Sequence, residues 1–209
     1  MKQTQVKDDC TDSPPTAAPT AGPHMLPGHQ RVLGMVASGA PVRSTLHALL
    51  ELLELEEPDM ITSIRLVDAG GRHLLHGAAP SLAEGFIQAS ASVVIGPQAG
   101  PCGTAAWRRE AVEVTDIESD PVCESVRELA LAHGLRAWWS MPLLCASGRL
   151  LGTLAVYSRT PRAPEPHQRA LVQTACPLAA IAIERAFNLE QLHHDRALLE
   201  TTQVRAHLG

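Results

Sequence analysis

Across residues 30–55 apolar side chains recur at helical spacing: Val32, Leu33 and Val36, then Leu46, Leu49, Leu50, Leu52, Leu53 and Leu55. The period predicts helix, and Gly39-Ala40-Pro41 predicts a break dividing it in two, with Ser44 as the cap of the second piece. The period then changes to two. Residues 60–68 (MITSIRLVD) alternate, Ala69-Gly70-Gly71 turns, and residues 72–77 (RHLLHG) return as the second arm of a hairpin. Ser81, with Glu84 three residues on, reads as the capping box of a short helix. Residues 93–96 lead into a Gly/Pro loop before Cys102, and residues 104–109 read as a helix.

Three more β-rich runs follow, at residues 111–117, 137–144 and 150–158, separated by a short helical segment and a Ser-Gly turn. In the last run Leu151, Thr153, Ala155 and Tyr157 share one face, while Gly152, Leu154 and Val156 share the other. Neither face is plainly solvent-facing, so a layer is expected on each side of the sheet. Leu154 and Val156 are expected against helices. Thr153 and Tyr157, with Trp138 and Ser140 from the preceding strand, are expected to line a cavity whose apolar walls, hydroxyls and indole N–H suit a small molecule. The adjacent Trp138 and Trp139 must point to opposite faces. From about Pro164 a long helix is predicted, with a 4-3 seam at Leu171, Ala175, Leu178, Ala182, Arg185, Leu189, Leu192, Arg196 and Leu199. Pro177 is expected to kink it. Beyond Ala186 its apolar residues need another surface, most simply the same helix of a second copy.

The chain has 209 residues, enough for one domain with an appended helix or tail. A net charge of −5 and a pI near 6.0 give no electrostatic reason to expect nucleic acid. Residues 1–27 include DSPPTAAPTAGP and are expected to be disordered. Five cysteines form no CxxC pair and no zinc spacing. With no leader-like segment and no apolar run of about 18 residues, a reducing cytoplasm and no membrane are expected. Cys145 and Cys176 read as small buried apolar residues.

The ordered segments GPCGTAA (100–106), DIESDP (116–121), LALAHGLRAWWSMPL (129–143), GRLLGTLAVYSRTPRAP (148–164) and LAAIAIERA (178–186) resemble a GAF domain of the bacterial sensory type, over residues 42–186. The resemblance implies an α+β fold: a central antiparallel β-sheet with the N- and C-terminal helices on one face and a ligand pocket on the other. Residues 28–186 would form that domain, and residues 187–209 a C-terminal helical extension for signalling and dimerisation. The helix near Ser81 and the loop before Cys102 would be the lid. Pocket candidates are Cys102, Trp138, Ser140, Thr153, Ala155 and Tyr157. Glycines beside Cys102, just before a helical run, would expose backbone N–H groups and favour its thiolate.

The resemblance also implies a non-catalytic domain that binds a small molecule or senses redox state and signals through its terminal helices as a homodimer. Its output would be a separate or fused domain such as a histidine kinase or a cyclic-di-GMP enzyme. An enzymatic alternative is a free methionine-R-sulfoxide reductase, whose Gly-Xaa-Cys-Gly loop matches around Cys102. The three carboxylates of that family fall on Trp138, Ala155 and Tyr157, and Cys123, near the nucleophile's place, lacks the family's neighbouring His and Asp. Sulfoxide reduction needs an acid to protonate the departing oxygen. A scaffold with a filled pocket is a further alternative. The bilin-attachment and cyclic-nucleotide signatures are missing. Ten histidines leave haem open, and His133 before Gly134 reads as a helix C-terminal residue. No cofactor or metal is assigned.

Overall fold

The structure, a computed structural model, describes residues 25–207. Side chains 25–27, 193–195 and those from 197 onward lie outside the description. Two helices, α1 (Met25–Ser38) and α2 (Val42–Glu56), lead into a hairpin of β1 (Ile61–Val67) and β2 (His73–Ala78). Then come α3 (Glu84–Ala89), β3 (Ser92–Val94), α4 (Gly100–Arg108), β4 (Val112–Val114), a 3-10 turn (Pro121–Cys123) and α5 (Arg127–Ala132). The hairpin of β5 (Ala137–Leu144) and β6 (Leu150–Ser158) precedes the long α6 (Pro166–His207). The six strands form one antiparallel sheet in the order β3-β2-β1-β6-β5-β4. The α+β expectation therefore holds.

Each face of the sheet has its own core. On one side α1, α2 and α6 cover Ile64, Trp139, Leu143, Leu151, Leu154 and Val156. On the other, α3, α4 and α5 cover Ile61, Trp138, Ala155 and Tyr157 with Phe86, Cys102, Ala105, Cys123 and Leu135. Trp138 and Trp139 divide between the faces as the pleat requires. Leu151 departs from the expected parity and joins the helix-side core. The β5–β6 register slips there, with Leu143 opposite Gly152 and Leu144 opposite Leu150, so Leu151 is the extra residue of a bulge.

Local signals were overridden where a stronger partner was near. The α1–α2 break is at Gly39 (φ 73°) as expected, but α2 starts at Val42 with Pro41, not Ser44, at its cap. Pro41 has a φ of −52° and its carbonyl accepts from the Thr45 N–H and hydroxyl, so the first turn closes without a Ser44 cap. Ser81 does not cap α3, whose cap position is Ala83. Its hydroxyl instead donates to Glu54 Oε2 at 2.5 Å, while Glu54 Oε1 accepts from the Thr62 N–H and hydroxyl. The helix expected at 104–109 begins earlier, at Gly100, because Gly100 takes a φ of 68° and Pro101 opens the first turn. Strand β4 is three residues long, since Asp116 turns the chain by accepting from the Glu118 N–H. Residues 25–27, expected to be disordered, are the first turn of α1; residues 1–24 lie outside the described residues.

Helix α6 runs unbroken through Pro177. Val172, Ala175, Ala179, Ala182 and Ile183 are buried in the core between α1, α2 and the sheet, with Leu171 and Leu178 half-buried beside them. Past Phe187, which still packs against the core, the support ends: Leu189 is 39% and Leu192 65% exposed. The Leu199 end of the seam lies outside the described side chains. Contrary to expectation, Pro166–Leu192 is long and apolar enough to cross a membrane by length and composition alone. Within the domain its buried residues pack against α1, α2 and the sheet.

Among the described glycines the tightest approach to another backbone is at Gly152 on β6. A Cβ there would stand 2.0 Å from the Arg65 carbonyl oxygen and 3.4 Å from the Leu66 Cα, both backbone atoms of β1. Neither yields without opening the β1–β6 ladder. Gly152→Ala is therefore expected to destabilise the fold by about 1–3 kcal/mol or more, read as a lowered urea midpoint; an unchanged midpoint would contradict the close approach.

Candidate functional site

The face of the sheet under α3, α4 and α5 is built in three rows across β5, β6 and β1. Trp138, Tyr157 and Ile61 form the first, Ser140, Ala155 and Ser63 the second, Pro142, Thr153 and Arg65 the third. Five of the six residues nominated from sequence thus meet on one strand face, and Cys102 arrives from the first turn of α4 above them. All six are at most 4% exposed. Phe86 of α3 closes the first row, with ring centroids 5.9 Å from both Trp138 and Tyr157, and the latter two are 4.8 Å apart. Edge and tilted geometries of this kind add about 0.5–1.5 kcal/mol per pair beyond area burial.

The face is polar as well as aromatic. Ser63 Oγ and Tyr157 Oη lie 3.1 Å apart. Burial and the neighbouring Cys102 push the Tyr157 phenol up from its ordinary value, while Arg65 and Ser63 pull the other way. Arg65, 3% exposed, donates to the Ser90 carbonyl at 2.5 Å and to Ser90 Oγ at 2.6 Å. Ser90 in turn donates to the Phe86 carbonyl, so the guanidinium pins the C-terminal end of α3 to the sheet. Among the described residues Arg65 makes no ion pair, an arrangement that costs on the order of several kcal/mol for a buried cation. Four buried polar atoms on this face have no hydrogen-bond partner within the protein: Arg65 Nε, Trp138 Nε1, Ser140 Oγ and Thr153 Oγ1.

Arg65 and Ser63 were not nominated from sequence. The signal was present in the alternation of MITSIRLVD, which puts Ile61, Ser63 and Arg65 on one face and Thr62 and Ile64 on the other. An arginine within such a strand reads as an edge residue until the strand is known to be central.

The thiols are enclosed. Cys102 and Cys123 share the core under α4, 2% and 0% exposed. Burial, then the carboxylate of Asp120, pushes the Cys123 thiol up to about 12, against the opposing pull of Arg127. Cys102, Cys123, Cys145 and Cys176 are all free. Cys145 is buried as expected and contacts the Ser147 hydroxyl at 3.0 Å, whereas Cys176 is only half-buried. His133 ends α5, its Nδ1 2.9 Å from the Leu129 carbonyl and its ring edge-on to Phe86 at 5.7 Å. Among the described residues no group of three His, Cys, Asp or Glu is placed to hold a metal ion.

A GAF domain family model matches residues 40–184. The methyl sulfide methyltransferase-associated sensor of Methanosarcina acetivorans is 33% identical over 160 residues, 77% of this chain, which spans only 16% of that relative's length. Among solved structures, the GAF domain of an Acinetobacter phosphoenolpyruvate-protein phosphotransferase superposes with a TM-score of 0.60 at 16% identity, covering 82% of this chain and 99% of that one. A free methionine-R-sulfoxide reductase from Neisseria meningitidis, in complex with its substrate, also gives 0.60, at 17% identity over 77% of this chain and 88% of that one. At these identities the two structures speak to the fold, in agreement with the sheet order and its two cores. The chain belongs to the GAF domain family.

Proposed function

We propose that this chain is a non-catalytic sensory domain that binds a small molecule between the sheet and α3–α5 and signals through its terminal helices as a homodimer. The observation that carries this reading is the set of unpartnered polar atoms, Trp138 Nε1, Ser140 Oγ and Thr153 Oγ1, gathered on one buried strand face. A face built only for packing has no use for them. The sensor relative supports the signalling role, and the small share of it that this chain spans agrees with an output domain, such as a histidine kinase or a cyclic-di-GMP enzyme, fused or separate. Residues 28–186 are the proposed sensing unit and 187–209 its helical extension. Free thiols agree with a cytoplasmic setting.

The route outward is short. Thr153, Ala155 and Tyr157 alternate along β6 with Leu154 and Val156, which pack under the terminal helices. Arg185 of α6 donates to the Ala37 carbonyl at the end of α1, so these helices are tied together. Exposed Leu189 and Leu192 continue α6 past its own domain and supply the apolar surface for a second copy. Light scattering is expected to give a dimer mass that falls to the monomer on Leu189→Glu with Leu192→Glu; a wild-type monomer would remove dimerisation from the proposal.

The reductase alternative is disfavoured by chemistry. Trp138, Ala155 and Tyr157 stand where carboxylates would be needed, and a thiol held near 12 supplies almost no thiolate at neutral pH. Neither Cys102 nor Cys123 is expected to react with iodoacetamide at pH 8 until the protein unfolds, and methionine sulfoxide should not be turned over. Turnover abolished by Cys102→Ser or Cys123→Ser would restore the enzyme.

Ligand binding is tested by native mass spectrometry of the protein purified from its source, against a denatured sample. A retained small mass is expected, weakened by Trp138→Phe, which removes the indole N–H but keeps an aromatic ring. A bare protein mass that binds nothing on titration would favour a filled scaffold.

A further inference from the structure

The geometry points to an anion as the ligand's anchoring group: Arg65, with Thr153 beside it and Ser140 in the adjoining row, supplies the donors for a carboxylate or other oxyanion. This inference rests on the reading of the face as a ligand site and names the chemistry that site selects. Two of its unpartnered atoms, Arg65 Nε and Trp138 Nε1, are donors only, so what they lack is an acceptor. The other two, Ser140 Oγ and Thr153 Oγ1, donate equally well. Thr153 sits directly across the strand pair from Arg65, and Ser140 lies in the adjoining row beside Ala155 and Ser63.

The charge balance agrees. Arg65 is enclosed on a central strand, hydrogen-bonded to the neutral Ser90 and beside the Tyr157 phenol. Its β2 neighbour His76 is held below its usual value by burial and then by the positive charges of Arg65 and Arg43. The nearby acid Glu84 acts on His76 and accepts a hydrogen bond from Gln88 instead of pairing with Arg65. A buried guanidinium compensated by neutral groups alone favours an incoming negative charge, and its planar fork matches two oxygens of one group. Because Arg65 also fastens Ser90 to the sheet, an anion shared with Arg65 would draw on the same side chain that holds the end of α3. The remainder of the ligand would meet Phe86, Trp138 and Tyr157, which favours a flat or apolar body.

Isothermal titration of the full chain with sodium benzoate, phenylacetate, acetate, nitrate and phosphate, against benzamide and acetamide, tests this. At least one anion is expected to bind at one per chain, with its amide about tenfold weaker or worse. Arg65→Gln should lose that binding, and Arg65→Lys should keep part of it. Thr153→Val, which deletes an unpartnered hydroxyl without changing the side-chain shape, guards against misfolding: it should raise the thermal midpoint of the free protein while weakening the anion. Binding by carboxylates alone identifies an organic acid, and binding by nitrate or phosphate as well identifies an inorganic oxyanion. Equal binding of acid and amide, or binding unchanged in Arg65→Gln, overturns the anion. If native mass spectrometry retains a neutral mass insensitive to Arg65→Gln, the anion fails while the ligand site survives. No binding in the panel together with no retained mass defeats both.

Discussion

Strand β6 lies between β1 and β5, and both of its faces must stay dry. That requirement sets much of the rest. It demands two separate layers of helices, places Gly152 where the β1 and β6 backbones come closest, and leaves Leu151 to be absorbed as a bulge at the start of the strand. Alternate residues of one strand then report to different cores. Tyr157, Ala155 and Thr153 belong to the α3–α5 side, Val156 and Leu154 to the terminal helices. A strand of this kind does not shift against one layer without disturbing the other, because interiors packed at crystal-like density transmit displacement.

The two cores differ in chemistry, and the difference can be weighed. An unpartnered buried hydroxyl or N–H costs about 1–3 kcal/mol, whereas a domain's whole net stability is about 5–15 kcal/mol. Four such atoms on the α3–α5 face, one of them on a buried cation, are a large fraction of that margin. The helix-side core has a single comparable atom among its clustered residues, Trp139 Nε1, on a ring that the Arg169 guanidinium covers at 5.5 Å. On the proposed reading a bound acceptor recovers the cost on the first face, which is what favours binding over packing as the reason for these side chains.

How much was legible in the sequence follows from the range of each signal. Strand parity is a property of the backbone, so the split of Trp138 from Trp139 and of Tyr157 from Val156 could be read directly, as could the hairpin at Ala69-Gly70-Gly71. Capping is a competition, and its outcome depended on partners far along the chain: Ser81 lost its cap role to Glu54, 27 residues away. The Leu151 bulge was hidden because it arises from register between two strands rather than from either alone. Arg65 was hidden for a related reason. Its parity was visible, but its burial depends on β6 and α3 closing around it, which no local pattern encodes.

A ligand can shift the arrangement of the terminal helices only by as much as its affinity differs between the two arrangements, about 1.4 kcal/mol for each tenfold. On the proposed reading, Arg65 is where that difference can arise. Its Nη atoms are committed to Ser90 at the end of α3, while its Nε is buried without a partner. An anion that takes up Nε strengthens the guanidinium's orientation; one that competes for the Nη atoms releases α3. Either way the change enters at β1, passes to Thr153 across the ladder, and meets Leu154 one residue on, under the helices. The same strand that had to be dry on both faces is therefore the shortest path between the site and the exposed end of α6.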